Sequence, residues 1–214
     1  MNRHSLPPQI RSLQAWQWLA RRIRVPLGFV TAALYVFEVA RRPAHPAAIA
    51  WSLALVLPGL ALRAIASGTV KKNRELAVTG PYAYTRNPLY LGSMLIAAGF
   101  AVALLSWPLA LVLGVGFAVI YIPVIAGEEQ FLRATFPGFD DYCRDVPRLI
   151  PRFTPAKRLG GQMTRADSAD SPGGFSLALY RKHREYNAAI GASLLYLSLL
   201  YLRPMLETLL QRFR

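Results

Sequence analysis

The chain has 214 residues, of which 54% are hydrophobic and only 17% are charged, a charged fraction below the roughly 25% of ordinary soluble domains. The formal net charge is +14 at pH 7, and the mean hydropathy is +0.29. Long apolar runs bracketed by basic residues favour an integral membrane protein and argue against nucleic-acid binding, because no surface rich in base-stacking aromatic residues is left over.

The metal-ligating residue types are sparse. Cys143 is the one cysteine, so no intrachain disulfide is expected. The three histidines, His4, His45 and His183, are scattered along the chain without ligand-like spacing. We therefore predict no metal site.

Five apolar runs predict an all-α integral membrane fold of about five transmembrane helices. They cover residues 25–40, 46–66, 89–106, 109–127 and 187–202. Only Trp107 and Pro108 separate the third run from the fourth, which predicts a tight antiparallel helical hairpin over residues 89–127. The Gly114-Val-Gly116 sequence lies inside an apolar helix and follows no strand, so no Rossmann domain is expected.

The predicted organisation has three parts. Residues 1–152 form a membrane core whose motif region is 64–152, residues 153–185 form a flexible basic linker, and residues 186–214 add a C-terminal membrane helix with an amphipathic tail.

Two charged residues lie within or beside these runs. Glu38, one turn before Arg41 and Arg42, predicts a local ion pair. Arg63, near the end of the second run, is expected to snorkel to the interface, the alternative being a buried functional charge.

The distribution of Lys and Arg predicts the orientation. With the N-terminus inside, 19 basic residues lie on that side and five on the other, so the N-terminus and both motif regions are expected in the cytoplasm. Arginine far exceeds lysine, at 21 to 4, which is typical of a GC-rich bacterial source and indicates the bacterial inner membrane.

The stretch GPYAYTRNPLYLG, residues 80–92, carries more polar chemistry than a turn between helices needs. The two hairpin arms that follow it are nearly equal, at roughly 27–30 Å for about 1.5 Å per residue. Glu128 and Glu129 should therefore return to the depth of Arg86 and Asn87, and all four are expected to share one interfacial patch.

Each element of this patch also has a purely structural explanation. Asn87-Pro88 is a good helix start, the two glutamates suit a solvated helix end, and the tyrosines suit an aromatic belt. Together they favour binding of a zwitterion with a cationic group. S-adenosyl-L-methionine fits, because its ammonium prefers a carboxylate, its carboxylate an arginine or a helix N-terminus, and its sulfonium aromatic faces.

The ordered series of GPYAYTRNPLYLG, the hairpin, the glutamate pair, FPGFDDY and VPRLIP resembles the isoprenylcysteine carboxyl methyltransferases and their relatives, the phospholipid N-methyltransferases, over about residues 64–152. The resemblance implies a small helical membrane enzyme that uses S-adenosyl-L-methionine, with its cofactor pocket on the cytoplasmic side and its lipophilic substrate arriving from the bilayer among the membrane lipids. The cofactor contacts it implies are Arg74, Glu75, Leu76, Ala77, Tyr82, Asn87, Pro88, Leu89, Tyr90 and Glu128.

We predict roles for these residues on that basis. Glu128 would bind the cofactor ammonium, while Tyr82 and Tyr90 would form an aromatic wall. As catalytic residues, Arg86 would close the site by pairing with a carboxylate, and Glu129 would act on the substrate side or as a support. Arg148 would orient the C-terminal flap, the segment around VPRLIP that contains it.

Two departures from the isoprenylcysteine branch concern the methyl acceptor. That branch usually has Arg-His-Pro where this chain has Arg86-Asn87-Pro88, and its eukaryotic members have a substrate-binding arginine where this chain has Val124. Carboxyl O-methylation is the first hypothesis, phosphatidylethanolamine N-methylation the alternative, and a non-catalytic helical bundle the second alternative.

Overall fold

The fold is all-α, as predicted. The computed structural model describes residues 8–70, 76–156 and 175–212, which form helices, turns and loops but no strand. The helices are α1 (Pro8–Arg41), α2 (Pro46–Thr69), α3 (Pro88–Ala103), α4 (Trp107–Thr135), α5 (Phe139–Asp145), α6 (Leu177–Lys182) and α7 (Tyr186–Arg212), with one 3-10 turn at Gly80–Ala83.

Within the described residues, four helices have the length and hydropathy of membrane spans. The candidate spans are Trp18–Arg41, Pro46–Thr69, Trp107–Thr135 and Tyr186–Leu209, and the third predicted segment forms the shorter apolar helix α3. The predicted linker is described only at its ends, because residues 157–174 lie outside the described residues. Helix α7 includes the stretch assigned above to an amphipathic tail as far as Arg212.

Proline sets the start of three helices. Pro46, Pro88 and Pro108 each stand in the first turn of α2, α3 and α4, where the missing backbone N–H costs no hydrogen bond. The turn between α3 and α4 is as short as predicted, and the Ser106 hydroxyl accepts a hydrogen bond from the Leu109 amide at 3.2 Å.

The turn of this hairpin is tied to α1. Arg42 pairs with the buried Glu38, which confirms the predicted local ion pair. The same guanidinium donates to the Leu105 carbonyl oxygen at 2.8 Å. Because Leu105 has a φ of 48°, in the left-handed region that non-glycine residues rarely adopt, this contact holds a strained turn in place.

Small residues bring α2 and α3 together. A Cβ atom on Gly92 would lie 2.7 Å from the Gly59 carbonyl oxygen, and one on Gly99 would lie 3.0 Å from the Ser52 carbonyl oxygen. Helices that lack a hydrophobic driving force between them in lipid associate through such close backbone packing.

Helix α7 packs against the bundle and adds polar contacts to its core. The Tyr35 hydroxyl of α1 donates to the Leu195 carbonyl oxygen at 2.9 Å, and the hydroxyls of Ser52 and Tyr196 share a hydrogen bond. The buried apolar cluster around them draws on α1, α2, α3, α4 and α7 and includes Tyr35, Val39, Val56, Phe100, Leu109, Ala192 and Leu199.

We expect Gly92→Ala to lower the melting temperature of the protein in detergent, because the added methyl group would meet a backbone oxygen that has no room to move aside. Overpacking of this kind costs about 1–3 kcal/mol. Gly114→Ala is the matched control, since nothing lies within 4 Å of its added Cβ. Equal melting temperatures for the two variants, measured by thermal unfolding, would contradict the close α2–α3 contact.

Candidate functional site

Three segments meet where α2 ends and α3 begins, an end of the bundle called here the motif end. They are the turn 80–87, the glutamate pair of α4, and residues 147–152, called here the flap. The Arg86 amide donates to the Pro147 carbonyl oxygen at 2.9 Å, and the Arg152 amide donates to the Tyr84 carbonyl oxygen at 3.0 Å. The flap is therefore bound along the turn by backbone hydrogen bonds.

Glu129 joins these segments through its charge. It is 6% exposed, and Arg86 Nη1 lies 3.1 Å from its Oε1. Arg148 Nε donates to the same oxygen at 3.0 Å, and Arg148 Nη2 pairs with Oε2. The juxtaposition predicted from the lengths of the hairpin arms is confirmed, since residues 43 positions apart form an ion pair.

The double pairing indicates what Glu129 does. Both carboxylate oxygens are engaged by guanidinium groups, and the hydrogen bond with Glu129 raises the pKa of Arg148. Arg148 links the flap to Glu129 through this contact, and its role in orienting the flap stays a prediction. The arrangement favours the supporting role that the sequence analysis left open for Glu129.

Glu128 has a different environment from its neighbour. It is exposed, and the Tyr90 hydroxyl donates to its Oε1 at 2.8 Å. The Tyr90 ring packs edge-on against Tyr121 at 4.9 Å between ring centroids, and Tyr121 stacks on Phe117 at 4.6 Å. A reachable carboxylate thus lies beside a wall of three aromatic rings.

Tyr82, in the 3-10 turn, is buried. Its carbonyl oxygen accepts a hydrogen bond from the Tyr142 hydroxyl at 2.7 Å. Burial raises the pKa of the Tyr82 hydroxyl, and the negative charges of Glu128 and Glu185 raise it further. The Tyr82 hydroxyl is therefore protonated at neutral pH and available as a hydrogen-bond donor.

Asn87, Pro88 and Leu89 stand at the start of α3 and contact neighbouring parts of the protein. Asn87 makes no side-chain cap on α3, and its Nδ2 donates to the Arg148 carbonyl oxygen at 2.8 Å. Pro88 is fully buried at the start of α3. The Leu89 carbonyl oxygen accepts a hydrogen bond from Ser93 at 3.0 Å.

The upstream segment predicted to contact the cofactor is described in part. Leu76 packs against the buried cluster of Phe139, Tyr142 and Val146, and Ala77 is half-buried. Arg74 and Glu75 lie outside the described residues.

An apolar groove separates the two arms of the hairpin. Its volume is about 780 Å³, and it runs from Tyr90 and Tyr121 at the motif end to Trp107 at the turn. Its walls include Met94, Ala98, Ala101, Leu105, Ala110, Gly114, Phe117, Ala118 and Ile122, with Leu149 from the flap. The hairpin is thus tight at its turn and open between its arms.

Several contacts were not anticipated from the sequence. Arg63 does not simply reach the interface, since it forms an ion pair with Glu185 at 2.8 Å. Arg86 Nη1 donates to Cys143 Sγ at 2.7 Å. Tyr121 and Glu185 carry no local motif, and their partners are distant in sequence, so no signal along the chain identifies them.

The Arg86 guanidinium also provides a test of whether this site fits an anionic group. Its Nε is buried and has no hydrogen-bond partner within the part of the chain that the structure describes. A buried donor without an acceptor is costly, and the carboxylate of a bound cofactor would satisfy it.

The central segment of the chain is similar to a known protein family. Residues 63–138 match the family model of the phospholipid methyltransferases, in agreement with the resemblance described above. The site elements from Arg86 to Glu129 lie inside this match, while the flap lies outside it.

Two curated bacterial proteins are similar over a shorter stretch. The nickel-cobalt-cadmium resistance protein NccN of Alcaligenes xylosoxydans xylosoxydans is 39% identical over 84 residues, and the cobalt-zinc-cadmium resistance protein CzcN of Cupriavidus metallidurans is 37% identical over 84 residues. Each match covers 39% of this chain and 39% of the relative. No solved structure matches. Among the described residues, no group of three His, Cys, Asp or Glu side chains is placed to hold a metal ion.

We expect Glu129→Gln to destabilise the protein by about 3 kcal/mol, because removing one partner of a buried ion pair leaves the other charge uncompensated. The flap amides, including that of Arg152, should lose protection from hydrogen exchange first. Asp140→Asn is the control, since it removes an ion pair with Arg133 that lies exposed on the surface. Flap protection that is the same in all three proteins would show that Glu129 does not hold this segment.

Proposed function

We propose that this protein is a membrane methyltransferase that moves a methyl group from S-adenosyl-L-methionine to a lipophilic acceptor. The observation that carries the proposal is the apolar groove between α3 and α4, which ends at the Tyr90–Glu128 hydrogen bond. An acceptor lying in the hydrophobic part of the bilayer would place its polar end beside this carboxylate. The match of residues 63–138 to the phospholipid methyltransferases supports the same class of reaction.

The residues at the motif end suit the three polar features of the cofactor. Glu128 would accept hydrogen bonds from its ammonium group. The buried Arg86 Nε and the N-terminus of α3 would bind its carboxylate. The faces of Tyr90 and Tyr121 would attract the sulfonium. When bound, S-adenosyl-L-methionine supplies an electrophilic methyl group, and the surrounding side chains hold the nucleophile in line with it.

The groove suggests the size of the acceptor. From Tyr90 to Trp107 it follows about four to five turns of helix, or roughly 25 Å at 1.5 Å per residue. That length approaches the roughly 30 Å of bilayer hydrocarbon, so the groove would take one long acyl or isoprenoid chain. With almost no polar lining, it would select the acceptor by its apolar chain.

Carboxyl O-methylation is the reaction that the site favours. An ionised carboxylate needs no general base, and Glu129 has both oxygens engaged by Arg86 and Arg148. Positioning and exclusion of water would supply the acceleration, and effective molarity alone contributes roughly 7–11 kcal/mol in favourable cases.

Phospholipid N-methylation is the second candidate. It is favoured by the match of residues 63–138 to the phospholipid methyltransferases. An amine acceptor must lose a proton, and Glu128 is the exposed carboxylate placed to receive it. By the distribution of Lys and Arg, the motif end would face the cytoplasm of a bacterial inner membrane, where S-adenosyl-L-methionine would enter from water.

The first test is transfer of radiolabelled methyl from S-adenosyl-L-methionine in membranes that contain the protein. We expect the wild type to label a lipid-extractable product. Glu128→Gln should weaken cofactor binding about 10- to 100-fold, because a charged hydrogen bond contributes about 1.5–3 kcal/mol. Glu207→Gln is the matched control, since Glu207 pairs with Arg203 far from the motif end.

The label identifies the acceptor. Release as methanol in base would indicate a carboxyl methyl ester, whereas base-stable label in lipid would indicate N-methylation. Absence of transfer to any membrane component, together with absence of cofactor binding by the wild type, would contradict the proposal and favour a non-catalytic bundle.

The second test fills the groove. We expect Gly114→Trp to raise the KM for the lipophilic acceptor at least tenfold while leaving the affinity for S-adenosyl-L-methionine unchanged, because Gly114 lines the groove away from the motif end. Val115→Trp is the matched control, since the neighbouring residue is exposed and does not line the groove. Equal KM values for the two variants would place the acceptor elsewhere.

A further inference from the structure

A partly buried ion pair links the C-terminal segment to α2. Arg63 Nε and Nη2 donate to Glu185 Oε2 at 3.1 and 2.8 Å. The side chains of Arg63 and Glu185 are 24% and 13% exposed. Arg63 is the first residue of the stretch that matches the phospholipid methyltransferases, and Glu185 lies well outside that stretch. Arg63 is therefore paired with a carboxylate that lies outside the matched stretch.

The remaining nitrogen of the same guanidinium group, Nη1, contacts the first turns of α3. Arg63 Nη1 donates to the Leu89 carbonyl oxygen at 3.4 Å and to the Ser93 hydroxyl. Gly92 makes room for this contact, because a Cβ at Gly92 would lie 2.7 Å from Arg63 Cγ. Arg63 thus bridges the C-terminal segment and the start of α3.

The position of Glu185 is itself determined by several contacts. The Ser176 amide donates to the Gly68 carbonyl oxygen at 2.9 Å. His183 Nδ1 lies 2.9 Å from the Ser67 carbonyl oxygen. The Phe175 ring packs directly over Gly68. Residues 175–185 therefore dock along the last turn of α2, where free carbonyl groups need partners.

This arrangement is continuous with the candidate site. Leu89, whose carbonyl oxygen Arg63 contacts, directly precedes Tyr90, and Tyr90 holds Glu128. The 3-10 turn with Tyr82 also packs against α2. Burial raises the pKa of Tyr82, and the charges of Glu128 and Glu185 raise it further, so both carboxylates act electrostatically on this residue.

We propose that Glu185 is a positioning residue of the methyl-transfer site, which acts through Arg63 to hold the first turn of α3, and with it Tyr90, in the geometry that binds S-adenosyl-L-methionine. This inference rests on the proposed function. A purely structural role, in which the pair only anchors α7 to the bundle, predicts a different result, because it would change stability without changing the affinity for the cofactor.

The experiment is titration calorimetry of S-adenosyl-L-methionine with the full-length chain in detergent, combined with steady-state kinetics. We expect Glu185→Gln to raise the Kd and the KM for S-adenosyl-L-methionine about tenfold, with kcat at saturating cofactor within threefold of the wild type. Glu207→Gln, which removes an exposed ion pair on α7, should bind the cofactor as the wild type does.

Two further variants keep the test decisive if Glu185→Gln folds poorly. Glu185→Asp keeps the charge and should recover most of the affinity. Arg63→Lys keeps a charge opposite Glu185 but lacks the planar set of donors that also reaches Leu89 and Ser93, so it should bind the cofactor weakly even when its melting temperature is normal.

The outcomes separate this inference from the proposed function. Wild-type affinity in folded Glu185→Gln and Arg63→Lys, alongside weak binding by Glu128→Gln, would overturn the positioning role alone. An absence of binding by the wild-type chain would overturn the proposed function and this inference with it.

Discussion

The candidate site depends on a buried carboxylate held between two guanidinium groups. Glu129 lies in the last third of α4, and Arg86 and Arg148 approach it from the turn and the flap. A buried charge is tolerated only when it is paired and hydrogen-bonded. The requirement to satisfy Glu129 therefore determines where two otherwise irregular segments lie, and the irregular segments in turn set the positions of Tyr82, Asn87 and the start of α3.

The same helices that build the site also leave its groove open. Glycines draw α3 tightly onto α2, while α4 packs mainly against α1, where Leu27 contacts Gly116. Because each arm of the hairpin has a better partner elsewhere, the two arms are joined at Ser106 but diverge beyond it. The apolar surface between them is thus a consequence of helix pairing, and it leads to the aromatic wall beside Glu128.

The site of this chain is larger than the segment that matches known families. Residues 63–138 contain Arg86, Tyr90 and both glutamates, but Arg148 and Glu185 come from later parts of the chain. In each case an arginine and a carboxylate pair across that boundary. The matched segment contains Arg63 and Glu129, and residues beyond it supply the charges that pair with them.

Hydropathy alone determined that the protein is an all-α membrane protein. Apolar runs of this length span a membrane as helices, because a helix satisfies its own backbone hydrogen bonds. The equal lengths of the hairpin arms also predicted that Glu129 would meet Arg86, since a helix rises uniformly along the chain. Only the tertiary structure decided that Asn87 binds the Arg148 carbonyl rather than capping α3, that the hairpin arms diverge, and that Arg63 pairs with Glu185. Each of these depends on which helix faces which, and such contacts between residues distant in sequence leave no periodic pattern along the chain.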